Sequence, residues 1–245
     1  MGDKTIIGLS RLISLRQHVD TIANNVANQT TSGFKSQSVR FSEYLTQAEE
    51  DDIPASPKRS LVASTGFVDF SPGPLRATGN PMDVAVVGDE AFLVVSTQNG
   101  NMYTRSGSLT IDDRGRLVTM AGNVVMTSAG ELTLLPRDGT VSIAPDGTVL
   151  TEKGPRGRLQ LVKFSDTRKL IPQGGALFSS VSSPSEIPPA QVRLASGVLE
   201  SSNVNAVQEM SKLVQASRAY DQVAKVVLGK DDPNELRKLA GEDGQ

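Results

Sequence analysis

From Asn203 to Leu228 the sequence contains neither proline nor glycine, and Ala206, Met210, Leu213, Ser217, Tyr220, Ala224 and Val227 recur in alternating steps of four and three. No other feature constrains the fold as much: this is a heptad seam, with Ser217 its one polar member. Val207, Val214, Val223 and Val226 widen the apolar face beyond a narrow two-helix stripe. Ser201, Ser202 and Asn203 offer N-cap oxygens, Glu209 sits where the positive end of a helix favours an anion, and Gly229 supplies a stop. A helix of this length with so broad an apolar face needs a partner.

The matching face lies at the other end of the chain. Leu12, Leu15, Val19, Ile22 and Val26 repeat with the same spacing and predict a first helix over Asp3 to Val26. It is expected to pack on Met210, Leu213, Tyr220 and Val227. Beyond it, Asn24, Asn25 and Asn28 are poor helix formers. They read either as a fraying helix end, capped by Asn and Gly33, or as amides sharing one face, Asn25 with Asn28 or Asn24 with Asn28. Amides on an apolar seam set register, because a misplacement leaves them unpaired. Asn25, Asn28 and Asn203 are the candidates for that role.

Between the helices the period changes to two. Short apolar runs such as Leu93 and Val95, Leu132 and Leu134, Val141 and Ile143, and Leu159 and Leu161 are separated by Asn99-Gly100, Asp113-Arg114-Gly115, Ala121-Gly122-Asn123, Asp138-Gly139 and Asp146-Gly147. The Asn-Gly and Asp-Gly pairs predict tight hairpins with positive φ at both central positions. The fold class expected is α+β: an antiparallel all-β central domain inserted between N- and C-terminal α-helices that pair as a coiled-coil-like unit. Residues 1–35 with 198–229 form the discontinuous helical domain, 36–64 a connecting loop segment, 65–192 the β-rich domain and 230–245 a charged tail. Ser182–Pro189, with three prolines, reads as the exit linker of the β domain. Glu49–Asp52, an acidic run beside Pro54 and Pro57, reads as a solvated loop.

Composition excludes several functions. With 245 residues there is room for one or two domains, but aromatics reach only 4% and Trp is absent, so broad aromatic binding platforms are not expected. Lys+Arg 25 against Asp+Glu 27 leaves no basic stripe for nucleic acid. No apolar run approaches the roughly 18 residues of a membrane span, so no direct membrane insertion is expected. Cys is absent, which removes disulfides, thiol catalysis and cysteine metal sites. His18 is the only histidine and lies on a helix face with Arg and Gln, so no metal set can be completed. Asp112 and Asp113, as strand neighbours, point to opposite faces. No P-loop, calcium loop or nucleophile elbow is present. The sequence predicts a protein that is not an enzyme, without cofactor or metal. Met1–Ser10 lacks the features of a cleaved secretory signal, so a cytosolic chain or one exported without cleavage is expected.

Three ordered motifs then carry a resemblance. Ala23-Asn24-Asn25-Val26-Ala27-Asn28 with Thr31-Ser32-Gly33-Phe34-Lys35 resembles the N-terminal motif of flagellar axial proteins, the rod and hook family. Leu199-Glu200-Ser201-Ser202-Asn203-Val204-Asn205, with Glu209-Met210 and Arg218-Ala219-Tyr220, resembles that family's C-terminal motif. Gly73-Pro74-Leu75, Thr78 to Val86 and Tyr103-Thr104-Arg105-Ser106-Gly107 resemble the core of its rod members. One departure is Glu90-Ala91-Phe92, which has one aromatic fewer than the family's usual run.

The resemblance implies a structural subunit of the bacterial flagellar basal-body rod, most similar to the proximal-rod branch, with the distal-rod branch as close rival. It implies other flagellar rod proteins and copies of itself as partners, and the flagellar type III export apparatus as the route to a periplasm-spanning rod. It also implies terminal helices in a tube wall with the β domain outside. The assembly interface expected is Leu12, Leu15, Val19, Ile22, Asn25, Val26, Asn28, Asn203, Met210, Leu213, Tyr220 and Val227. The alternative class is a free-standing β-rich binding module that dimerises through its terminal helices.

Overall fold

A computed structural model describes residues 2–46, 59–88 and 90–227. The acidic run 49–52, the stop at Gly229 and the tail 230–245 lie outside the described residues. The elements are helix α1 (Gly2–Ala27), strands β1 (Gln37–Thr46), β2 (Arg59–Val68), β3 (Leu75–Ala77), β4 (Val84–Val86), β5 (Ala91–Thr97), β6 (Gly100–Thr104), β7 (Leu109–Ile111), β8 (Leu117–Thr119), β9 (Val124–Thr127), β10 (Gly130–Glu131), β11 (Val141–Ile143), β12 (Thr148–Thr151), β13 (Gly154–Arg158), β14 (Leu161–Lys163), β15 (Leu170–Pro172), β16 (Leu177–Ser180), β17 (Ser185–Glu186), β18 (Leu194–Ser196) and β19 (Val198–Glu200), and helix α2 (Ala206–Val227). The class is α+β, as the two sequence periods require.

The chain divides into two units. The first comprises Met1–Val26, Gln37–Phe67 and Asn205–Gln245, and holds both helices with the strand pair β1–β2. Residues 36–64, expected as a loop, thus carry two paired strands; Val39, Phe41 and Leu45 alternate along the first and Leu61, Ala63 and Phe67 along the second, a period-two signal diluted by the polar residues between them. Helix α2 also starts later than expected. The cap is Asn205, whose Oδ1 accepts from Gln208 N–H at 3.2 Å, while Asn203 is used elsewhere.

The second unit comprises Ala27–Ser36 and Val68–Val204. Its ten-stranded sheet has the path β15-β16-β6-β5-β9-β8-β7, with β14, β17 and β10 added at its sides. Alternation on β5 serves two cores: Leu93 and Val95 face one with Val125, Leu117 and Val149, and Phe92 and Val94 face the other with Phe164 and Phe178. Phe92 stands 5.5 Å from Phe70 and 5.7 Å from Phe164, both edge-on, so an aromatic cluster forms although position 91 is alanine. A three-stranded sheet β11-β12-β13 lies against the first core, and β18 pairs β4. The last strand, β19, pairs antiparallel with the first short strand of the unit, β3, with Glu200 opposite Leu75.

Two turn expectations are corrected by the register. Thr97 pairs with Gly100, so Gln98 and Asn99 form the turn and Gly100, φ 99°, is the first paired residue after it. Ser182–Pro189 is no free linker: β17 pairs β14, and Ile187 N–H donates to Leu161 O at 2.9 Å while its side chain packs on the first core.

Candidate assembly site

In the first unit α1 and α2 run antiparallel. A Cβ added at Gly8 would meet the Val227 side chain, and Asn25 reaches Glu209. A groove between them is lined by Arg16, Val19, Ser217, Tyr220 and Asp221. Leu12, Ile22 and Asn25 are buried, and Leu15, Val19 and Val26 partly so. On α2 the buried positions are Glu209 and Ala216, with Leu213, Tyr220 and Val227 half-buried. Met210, expected on this seam, is 48% exposed. The inward stripe therefore keeps Leu213, Tyr220 and Val227 of the apolar heptad but has Glu209 in place of Met210 and Ala216 deeper than Ser217. The reason is chemical: its key members are a small residue and a carboxylate, which hydrophobicity does not flag.

Glu209 is held by two donors. Asn25 Nδ2 donates to Oε2 at 3.0 Å and Lys212 Nζ to Oε1 at 2.6 Å. Asn25 also donates to Gln37 O at 2.7 Å and accepts from Gln37 N–H at 2.9 Å. Its amide thus imitates a strand partner and fastens the start of β1 to both helices. His18 faces the same carboxylate; burial lowers its pKa below the ordinary 6.5, Glu209 opposes that, and Lys212 adds to it.

In the second unit Asn203 performs the same imitation. Its Oδ1 accepts from Ser36 N–H at 2.7 Å, and its Nδ2 donates to Asp69 O at 2.9 Å and Ser71 O at 3.2 Å. Asn28 instead makes a turn: its carbonyl accepts from Thr31 N–H and its Oδ1 from the Thr31 hydroxyl, both at 3.1 Å. Asn25 and Asn28 therefore serve separate sites, in different units.

Beside Asn203 lies a group that the apolar pattern did not reveal. Lys35 Nζ donates to Glu200 Oε1 at 2.6 Å and Ser71 O at 2.7 Å. Arg105 Nε donates to Glu200 Oε2 at 3.0 Å, and its Nη atoms donate to Ala91 O and Val86 O, each at 3.2 Å. Gly73 N–H adds a third bond to the carboxylate at 2.9 Å. All three side chains are at most 1% exposed. Burial raises the Glu200 pKa, but the Lys35 bond, the Arg105 charge and Gly73 N–H outweigh it and hold the carboxyl below its usual range. Burial also lowers the Lys35 pKa despite Glu200. Gly33, φ 68°, lies so close to Arg105 O and Ser106 N that a Cβ has no room. Little in the sequence marks it, since Arg105 lies between Thr104 and Ser106, and Lys35 and Glu200 are each followed by serine.

Among the described residues no cluster of His, Cys, Asp or Glu is arranged to hold a metal, and no helix is long and apolar enough to cross a membrane.

Three family models match in chain order. Residues 7–35 match the flagella basal body rod protein model, residues 85–154 the flagellar hook protein FlgE/F/G D1 domain, and residues 195–231 the flagellar basal body rod FlgEFG protein C-terminal model. These matches define a structural axial subunit of the bacterial flagellum. Among relatives, the basal-body rod protein FlgF of Caulobacter vibrioides is 34% identical over 99% of this chain and 98% of its own. FlgF of Escherichia coli is 34% identical over 86% of each chain, and the rod protein FlgG of Bacillus subtilis is 30% identical over 92% of this chain and 94% of its own. The chain belongs to the flagellar basal-body rod protein family, a family of structural proteins and not of enzymes.

Proposed function

We propose that this chain is an FlgF-like subunit of the proximal rod that joins other rod proteins and copies of itself through its paired terminal helices. One observation carries this reading. Both helices keep apolar stripes in water that their own pairing does not cover: Leu9 and Ile13 on α1, and Val207, Met210 and Val214 on α2. The spacing of each stripe follows one helix face, and burying each such side chain contributes about 1.5–3 kcal/mol. Ordering each residue costs about 1–2 kcal/mol of backbone entropy. A helix pair with one stripe unfilled is therefore marginal alone and firm once neighbours complete a coiled-coil-like wall.

Head-to-tail repetition of such contacts gives an open tube. A subunit whose helices are marginal before assembly suits export by the flagellar type III apparatus without cleavage. FlgF fits the extent of similarity over nearly both whole chains; the FlgG relative at 30% identity supports the distal-rod reading as the rival. The test is cross-linking in intact basal bodies with single-cysteine variants Ile13→Cys and Met210→Cys. Adducts between this chain and rod proteins support the proposal. Adducts confined to a free dimer of this chain, with none in basal bodies, reject it.

A further inference from the structure

We propose that Glu200 is an electrostatic latch on the β unit: it is the shared counter-ion of Lys35 and Arg105, and the unit stays open until its two flanks, residues 33–36 and 198–203, are both in place. The three side chains are almost fully enclosed, and one carboxylate serves two cations. Lys35 and Glu200 are 165 residues apart, and Arg105 and Glu200 are 95 apart. No local segment can assemble the group. Glu200 is the final residue of the final strand of the unit, opposite Leu75 on β3. Each member of the group also falls in a different one of the three matched stretches, 7–35, 85–154 and 195–231.

The same crossing is reinforced by the backbone. Gly33 N–H donates to Glu200 O at 2.8 Å and the Ser32 hydroxyl to the same oxygen at 3.1 Å. Closing the unit before Glu200 arrives would enclose two positive charges with the Ser71, Ala91 and Val86 carbonyls, the Phe92 ring 5.8 Å from the guanidinium and the Asp69 carboxylate, which acts on Lys35 through its charge but makes no salt bridge with it. Buried charges left without a counter-ion are strongly destabilising, whereas a buried ion group replaced entirely by apolar residues is often tolerated. A like-charged pair inside a poorly solvated space therefore holds the unit open, and the carboxylate closes it. This device is independent of how the rod assembles.

Its test uses the purified full-length chain, followed by urea unfolding of the β unit and amide exchange at Gly33 and Ser36. Glu200→Gln keeps the shape and removes the charge. It should reduce the folded-to-unfolded ratio about a hundredfold or more and expose both amides. Lys35→Met, which leaves one cation per carboxylate, should do less harm. The double variant should be less impaired than the product of the single effects. The triple variant Lys35→Met, Arg105→Met, Glu200→Met should protect both amides again, and it decides the matter if Glu200→Gln does not fold at all. A Glu200→Gln chain within tenfold of the parent, independent effects of the two single changes, or a triple variant as open as Glu200→Gln would each overturn the latch.

Discussion

Single side chains in this protein join stretches that no local pattern relates. Asn25 bonds across 12 residues to Gln37 and across 184 to Glu209, and Asn203 bonds across 167 to Ser36. The cluster of Asn24, Asn25 and Asn28 stands out in the sequence because Asn is a poor helix former. The partners of Asn25 and Asn203 do not, because a backbone-imitating amide leaves no trace in the spacing of its targets. His18 illustrates a consequence for pH. Burial lowers its pKa from 6.5, so the paired helices favour the neutral ring. Below about pH 6.5 the separated chain binds a proton that the paired state resists, and stability falls as pH falls through the unfolded value. Helix content of the isolated chain, followed by circular dichroism between pH 7.5 and about 5, should therefore drop on acidification. His18→Gln should flatten that drop; an unchanged profile would mean another group is responsible.

At the scale of elements, both helices were legible and their inward faces only in part. Of the apolar heptad Leu213, Tyr220 and Val227 are half-buried, whereas α2 turns Glu209 and Ala216 inward and leaves Met210 outside. A pattern of greasy residues cannot distinguish a face that packs within the chain from one left for neighbours. This difference makes Met210→Asp a clean probe. The added carboxylate lies on an exposed position, so folding of the purified chain should change by no more than about 0.5 kcal/mol. Motility should be lost, because the charge would have to be desolvated against a neighbouring subunit. Swimming in soft agar together with a thermal melt measures both. The pair β1–β2 was legible only faintly, since Val39 and Phe41 on one strand and Leu61 and Ala63 on the other alternate among many polar residues and beside an acidic, proline-bearing stretch that reads as loop.

Across the molecule, the β unit was the most legible part, because period-two runs and glycine turns are local signals. Its internal order, with β5 central, β14 returning to it from far along the chain, β17 joining through β14 and β16 through β6, is set by which runs fit two opposed cores, and spacing carries no record of that. Val181 stands 90% exposed just beyond β16. A short epitope inserted after it should leave the melting temperature of the chain within a few degrees and keep cells motile. Loss of either would show that this rim is occupied in the cell.

The antiparallel pairing of β3 with β19, Leu75 against Glu200, has one more consequence. Because the polypeptide enters and leaves this body through adjacent doors, whatever is spelled between them is a cassette. Its outer turns can be lengthened or shortened, but the stretch that carries Arg105 has to stay, because that charge is matched to Glu200 at the exit and, through it, to Lys35.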